Sequence, residues 1–377
     1  MNNWGIKMKL LYIVHFHAPM GGLHENVYSS ALYMKQQGCE VYVMLKPGPL
    51  QERFEAAGIH TISTEFGSGV PAVNANVQQL EDLNIQFDLI HFHPGLSKYP
   101  AIKYGREHDI PLVETYHGMW HDDLNKHAGK LSAIVTVSEG IKLNLQSRLK
   151  RLYDRYYVIP NGYDSRLFDA PVYYDFKKDE VNIGFVTRLD EDKQFIMDIL
   201  LLAVNHIKNK TDIKINIHII GDGTQKEEFM RLSEEMLKDT PHSIVFKGWL
   251  VDTALRDAYL DCDIIIAPGR SAIEGMASGK PVLAVGSKNY IGLIKQDNWQ
   301  FGMYNNFGGT GLKFADYEVG SVEKDLDYLI DNRERIKPLG EFSYKIASQF
   351  FDADKLNQKL YELYEILILG KEIEEKK

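Results

Sequence analysis

Asp263–Val282 reads DIIIAPGRSAIEGMASGKPV. Ile264–Ile266 are consecutive, β-branched and apolar, which suits a strand buried on both faces of a parallel sheet. Pro268–Gly269 ends that strand. Ser271 is expected to begin a helix reaching about Ser278, where Gly279 supplies a stop and Pro281 opens the next buried strand. The unit is strand, tight turn, helix. Gly269 lets a ligand approach the backbone, and Arg270 sits where the open amides of a helix start point outward, an end that attracts phosphate.

The chain has 377 residues, too long for one ordinary core and suited to two domains. Its net charge of −9 argues against a general nucleic-acid binder. Cys39 and Cys262 lie in apolar strand-like contexts, so neither a disulfide framework nor a zinc cage is expected. No apolar run reaches membrane-spanning length, and Met1–Lys7 lacks the apolar core of a signal peptide. The cytoplasm is the expected location.

Outward from the opening stretch, strands alternate with helices. Lys9–Val14, Glu40–Met44, Ile59–Ser63, Phe87–His91, Leu112–Thr115, Ala133–Val137 and Tyr157–Pro160 read as strands of a first half. Helices are expected at His24–Gln37, Ser97–His108 and Glu139–Lys150. A second half restarts at Val181–Val186 and continues through Lys214–Ile220, Ile244–Phe246, Ile264–Ile266 and Val282–Val285, with helices at Gln194–Ile207 and from about Thr224. The tail Phe342–Leu369 reads as helical, with Leu356, Leu360, Leu363 and Ile366 as its apolar residues. Such alternation means parallel sheets covered on both faces, whose ligands bind beyond the carboxyl ends of the strands.

In the second half those ends carry a consistent set. Arg188 and Lys193 follow one strand and could grip a diphosphate, although by spacing alone two solvated charges are as good a reading. Gly221-Asp222-Gly223 follows the next strand, and Gly269, Arg270 and Ser271 open the helix after the strand at Ile264. Ser271-Ala272-Ile273-Glu274 also has the form of a capping box, which would make Glu274 structural.

VIPNGYD at 158–164, GFVTRLDEDK at 184–193, IIGDG at 219–223, FKG at 246–248 and IEGMASGKPVLA at 273–284 appear in order along most of the chain. Together with Gly21-Gly22 and Thr115-Tyr116-His117-Gly118, this set resembles the retaining glycosyltransferases of the GT-B fold, nearest to glycosyltransferase family 4. The resemblance implies an α/β chain with two Rossmann-like domains facing across a cleft. Residues 1–165 would form the acceptor domain and 166–345 the nucleotide-sugar donor domain. Residues 346–377 would be a C-terminal helix crossing back to the N-terminal domain. It implies that Arg188 and Lys193 bind the diphosphate, Glu274 the ribose hydroxyls, and the backbone at Lys247, Gly248 and Trp249 the base. His117 would lie beside the transferred sugar and the Gly21-Gly22 loop near the diphosphate. The implied reaction moves a sugar from a nucleotide-sugar donor, a UDP-sugar by preference, to an acceptor hydroxyl in glycan or glycoconjugate synthesis at the cell surface. It retains configuration and uses no metal or separate cofactor. A sugar, a lipid-linked group or a protein would be the acceptor; sequence leaves the oligomeric state open. One departure stands out: where the family has a first glutamate, eight positions before Glu274, this chain has Ile266.

Other signals carry less weight. Asp261-Cys262-Asp263 has a DxD form, but its place before a buried strand puts it at the amino end. His15-x-His17 and His91-x-His93 are read as polar lining of a sugar pocket rather than metal pairs. Arg148, Lys150, Arg151 and Arg155 offer peripheral contact with the inner face of a membrane, yet Asp154 interrupts them and a solvated helix face is preferred. Two rival functions share the implied fold: a UDP-sugar 2-epimerase and a non-catalytic sugar- or glycoprotein-binding subunit.

Overall fold

The computed structural model of the chain describes residues 7–16, 21–149, 153–168, 179–309, 311 and 316–375. It divides into two compact units, residues 1–161 with 353–377, and residues 162–352. The sequence reading put these divisions at 165 and 346.

The first unit holds seven strands: β1 (Lys9–Val14), β2 (Glu40–Leu45), β3 (His60–Ser63), β4 (Leu89–Phe92), β5 (Leu112–Tyr116), β6 (Ala133–Thr136) and β7 (Tyr156–Val158). Their order is β3-β2-β1-β4-β5-β6-β7, and every neighbouring pair is parallel. β1 shows why. Leu10, Tyr12 and Val14 enter one apolar cluster while Leu11 and Ile13 enter another on the opposite face. A strand apolar on both sides belongs in the middle of a covered sheet.

The second unit has six strands: β8 (Glu180–Val186), β9 (Lys214–Ile220), β10 (Ser243–Gly248), β11 (Ile264–Ala267), β12 (Val282–Val285) and β13 (Tyr290–Leu293). They run in the order β10-β9-β8-β11-β12-β13, parallel except for the antiparallel β12–β13 pair. Ile264 and Ile266 of β11 face one cluster, Ile265 and Ala267 the other. The helix Gln194–Ile207 covers one face with Ile196, Ile199, Leu200, Ala203, Val204 and Ile207, a stripe at helical spacing.

Three readings are corrected by packing. The helix after β11 spans Gly269–Ala277, so it starts two residues before Ser271, with Pro268 as the capping position. The tail is two helices, Ile336–Phe350 and Ala353–Glu375, and not one from Phe342. The break follows Phe351, which is buried on Phe307 and accepts the Tyr163 amide through its carbonyl at 2.9 Å. Ile366 is exposed, because Leu360, Tyr361, Leu363, Tyr364 and Ile368 fill the inward face. This last helix packs in the first unit on Gly22–Gln36, where Asn357 Nδ2 donates to Ser29 Oγ at 3.0 Å.

That packing sets a contrast. Leu363→Ala should destabilise the chain by about 2–5 kcal/mol, the range for emptying a buried leucine site. Ile366→Ala should change it by less than about 0.5 kcal/mol. Urea denaturation of the two variants checks this, and equal losses would contradict the helix orientation.

Candidate active site

The sequence-predicted residues fall in both units. In the second they gather at the carboxyl ends of β8 to β12. After β8, Arg188 is exposed and bonded on both sides: Nη1 donates to Asp190 Oδ2 at 2.6 Å, and Nη2 meets Asp192 Oδ2 at 3.1 Å. Lys193 Nζ lies 2.7 Å from the same Asp192 oxygen and donates to Ser287 Oγ, beyond β12, at 3.1 Å. One carboxylate therefore holds both cations. Burial works against the Asp192 charge, but Lys193 and Arg188 outweigh it and keep the carboxyl below its usual range.

Gly221 and Gly223 are where two loops meet backbone to backbone. A Cβ on Gly221 would fall 1.8 Å from the Thr187 carbonyl oxygen, and one on Gly223 would fall 2.4 Å from that of Leu189. Gly221 also has φ of +146°, so glycine is required there twice over. The space a side chain would need is filled by protein, so these two glycines shape the Arg188 loop. The Gly221 amide donates to Gly248 O at 2.8 Å, joining that loop to the segment Lys247-Gly248-Trp249. The Lys247 ammonium turns back to Asp261 at 3.0 Å.

At the helix start after β11, the Gly269 amide donates to Phe307 O at 2.9 Å. Gly269 has φ of +50°, a left-handed turn that a side chain would strain. Ser271 lies inside the helix, so the capping box does not form. Glu274 is buried and accepts Arg270 Nε on Oε1 at 2.7 Å, one helical turn away. Tyr259 OH donates to the Ser271 carbonyl at 2.9 Å and contacts Glu274 Oε2 at 3.4 Å. Ile266 is fully buried in β11, so no carboxylate stands at the place of the family's first glutamate. Asp261 is held by Lys247, and Asp263 Oδ2 accepts the Asn182 amide at 2.8 Å at the amino end of the sheet. Among the described residues no three His, Cys, Asp or Glu side chains gather as a metal site.

In the first unit, Gly21 precedes the helix Gly22–Gln36, and its amide reaches His24 Nδ1 at 3.4 Å. His17 lies outside the described residues, so the His15-x-His17 pair is not assessed. His15 is pushed down to about 4 by burial, and its backbone amide donates to Ser97 Oγ at 2.9 Å. His91 corrects the pocket-lining reading. Its Nδ1 bonds the Tyr364 hydroxyl and its Nε2 the Thr115 hydroxyl at 2.7 Å, all inside the core. His93 and His117 each sit one residue past a strand end, on neighbouring strands β4 and β5, with His93 Nδ1 3.1 Å from His117 Nε2. Burial pushes His91 and His117 down to about 3, and His93 well below its ordinary value.

Sequence reasoning missed Asp192, Ser287, Tyr259 and the buried pair Lys98–Asp122 at 2.6 Å, which ties the start of the helix after β4 to the loop after β5. Asp192 sits inside the quoted DEDK run and was legible as an acid beside two cations. The others are single polar residues whose partners come from far along the chain. Of the basic cluster, Lys150 and Arg151 lie outside the described residues. Arg155 donates to the Leu131 carbonyl at 2.6 Å, a structural use.

Comparison with known proteins gives the family. The family model for Glycosyltransferase Family 4 matches residues 20–167, and that for Glycosyl transferases group 1 matches residues 172–346. The chain is a family 4-like member of the GT-B glycosyltransferases. It is 28% identical over 226 residues to an uncharacterized glycosyltransferase of Methanocaldococcus jannaschii, a match covering 58% of this chain and 55% of that protein. The chain thus spans about half the length of that relative. Its fold is that of a glycosyltransferase from Rickettsia africae, with a TM-score of 0.76, 19% identity, and 96% and 99% of the two chains covered. It is also that of Anabaena HepE solved with UDP and glucose, with a TM-score of 0.68, 17% identity, and 94% and 99% covered. No helix among the described residues is long and apolar enough to cross a membrane.

The buried histidines make stability depend on pH. His91 and His117, pushed down to about 3, stay neutral in the folded chain but take a proton near pH 6.5 when unfolded, so the unfolded chain binds more protons between about pH 3 and 6.5. Stability is therefore full above pH 6.5 and lost as pH falls, by about 2 kcal/mol per histidine at pH 5. Urea denaturation at pH 7 and pH 5 should show His91→Gln losing about 2 kcal/mol less than the parent chain. Equal losses would mean that His91 is protonated in the folded protein.

Proposed function

We propose that this chain is a retaining, metal-independent transferase that moves a sugar from a UDP-sugar to an acceptor hydroxyl in glycan or glycoconjugate synthesis. The observation that carries the proposal is the shared Asp192 carboxylate. Arg188 and Lys193 already grip one anion at the carboxyl edge of the second sheet, and a diphosphate offers the same charge with more acceptor oxygens. The uridine in the solved Anabaena HepE supports the choice of nucleotide.

In this reading the diphosphate takes the place of Asp192 on the two cations, near the helix start at Gly269-Arg270-Ser271. The backbone at Lys247–Trp249 faces the base. The ribose hydroxyls bond Glu274 Oε2 in place of its long Tyr259 contact, while Arg270 stays on Oε1. His117 meets a hydroxyl of the transferred sugar. The bond from the anomeric carbon to the departing phosphate oxygen breaks, and the acceptor oxygen bonds that carbon on the same face. The acceptor proton passes to the departing phosphate. Arg188, Lys193 and the helix dipole stabilise the charge that develops on the leaving diphosphate. Among the described residues, Ile266 occupies the place where a carboxylate would otherwise contact the donor sugar, so sugar selection rests on other groups.

Arg188→Ala and Lys193→Ala should each weaken UDP binding by about 10- to 150-fold in calorimetry, from about 1.5–3 kcal/mol for a hydrogen bond to a charged group. Melting temperature should barely move, and transfer by the parent chain should survive excess EDTA. Unchanged affinity in both variants would overturn the donor-site assignment. Loss of transfer in EDTA, restored by Mn²⁺, would overturn the metal-independent mechanism.

A further inference from the structure

His93 and His117 form a hydrogen-bonded pair whose two outer nitrogens are unanswered. Their rings lie 5.1 Å apart, centre to centre, at 33°. Nε2 of His93 and Nδ1 of His117 are shielded from solvent, and neither has a hydrogen-bond partner among the described residues. Buried polar atoms in that condition are costly. The neighbouring His91 ring, 5.0 Å from that of His93, cannot answer them, since its own nitrogens are committed to Tyr364 and Thr115.

The chemistry of the pair limits what it can bind. A neutral imidazole has one N–H donor and one bare acceptor. Across the 3.1 Å contact one ring must donate and the other accept. If His93 Nδ1 donates, His117 Nε2 is bare and His117 Nδ1 carries a hydrogen. If His117 Nε2 donates, His93 Nε2 carries the hydrogen and His117 Nδ1 is bare. In both cases the two rings share one tautomer, and the pair presents one donor and one acceptor. A sugar hydroxyl, which both donates and accepts, fits either end.

We infer that His93 is a positioning residue: through its hydrogen bond it holds the orientation of His117 and couples the tautomers of the two rings, so that Nδ1 of His117 meets a hydroxyl of the transferred sugar with its role tied to the state of His93. This rests on the reading of His117 above. Two histidines packed merely as core would fill the same space but give no reason for an aligned contact between two ring nitrogens.

The test uses the full chain. His93→Leu keeps bulk without a polar atom, and His93→Asn places an amide near the former Nδ1. His93→Leu should lower kcat tenfold or more while leaving the UDP Kd within twofold, and His93→Asn should recover most of kcat. In the parent chain, ¹⁵N spectra of the ring nitrogens should show His93 and His117 neutral and in the same tautomer. An unchanged kcat in His93→Leu, no recovery in a folded His93→Asn, or opposite tautomers would each overturn the inference. If His93→Leu does not fold, the asparagine variant and the parent spectrum decide. His117→Ala separates the two levels. Retained turnover there overturns the reading of His117 and this inference with it. Lost turnover there, with His93→Leu fully active, overturns this inference alone.

Discussion

Both sheets are covered on both faces, and that constraint decides where chemistry can occur. β1 and β11 each send alternate apolar side chains into two separate clusters. A polar ligand therefore has no access to the sheet faces. What remains is the row of turns where strands give way to helices, and at the carboxyl ends those turns bring amides and short polar loops together. Arg188, Gly221, Gly269 and Ser287 follow strands of one sheet and Gly248 ends another of its strands, although they span about a hundred residues of sequence.

The two units use this edge with opposite electrostatics. The second collects charge: Arg188, Lys193, Asp190 and Asp192 lie in one exposed or half-buried group that can exchange partners. Contacts of this kind are weak individually in water, which makes the internal carboxylate replaceable. The first unit buries the ion pair described above at this edge, Lys98–Asp122, and sets neutral rings beside it. Burial disfavours the charged form of His91, His93 and His117; His91 is committed to Tyr364 and Thr115, while His93 and His117 each keep one ring nitrogen without a partner among the described residues.

Much of the fold was legible because its signals are local. Three β-branched residues at Ile264–Ile266 and the glycine stops around them need no tertiary context to read as a buried strand. Residues whose partners are remote were harder. Ser271-x-x-Glu274 has the spacing of a capping box, but Arg270 lies one turn from Glu274 and takes its carboxylate, while Pro268 moves the helix start forward. Ile366 continues the apolar series of the tail, yet the tyrosines Tyr361 and Tyr364 carry the inward face. β13 escaped notice because it is four residues long with Gly292 inside. The His91-x-His93 alternation suggested one shared environment. In the structure His91 is tied to a helix from the chain's far end, and His93 bonds to the next strand's loop.

The proposed donor site has an anion-binding pair, Arg188 and Lys193, whose internal anion is Asp192. Replacing that carboxylate with a neutral amide removes a competitor and a like charge from the diphosphate position, an effect of about 1 kcal/mol or more for charges a few ångströms apart. Calorimetric titration of UDP into Asp192→Asn at low salt should therefore give a Kd roughly fivefold tighter than that of the parent chain. An unchanged or weaker Kd in the folded variant would show that Arg188 and Lys193 are not where the diphosphate binds.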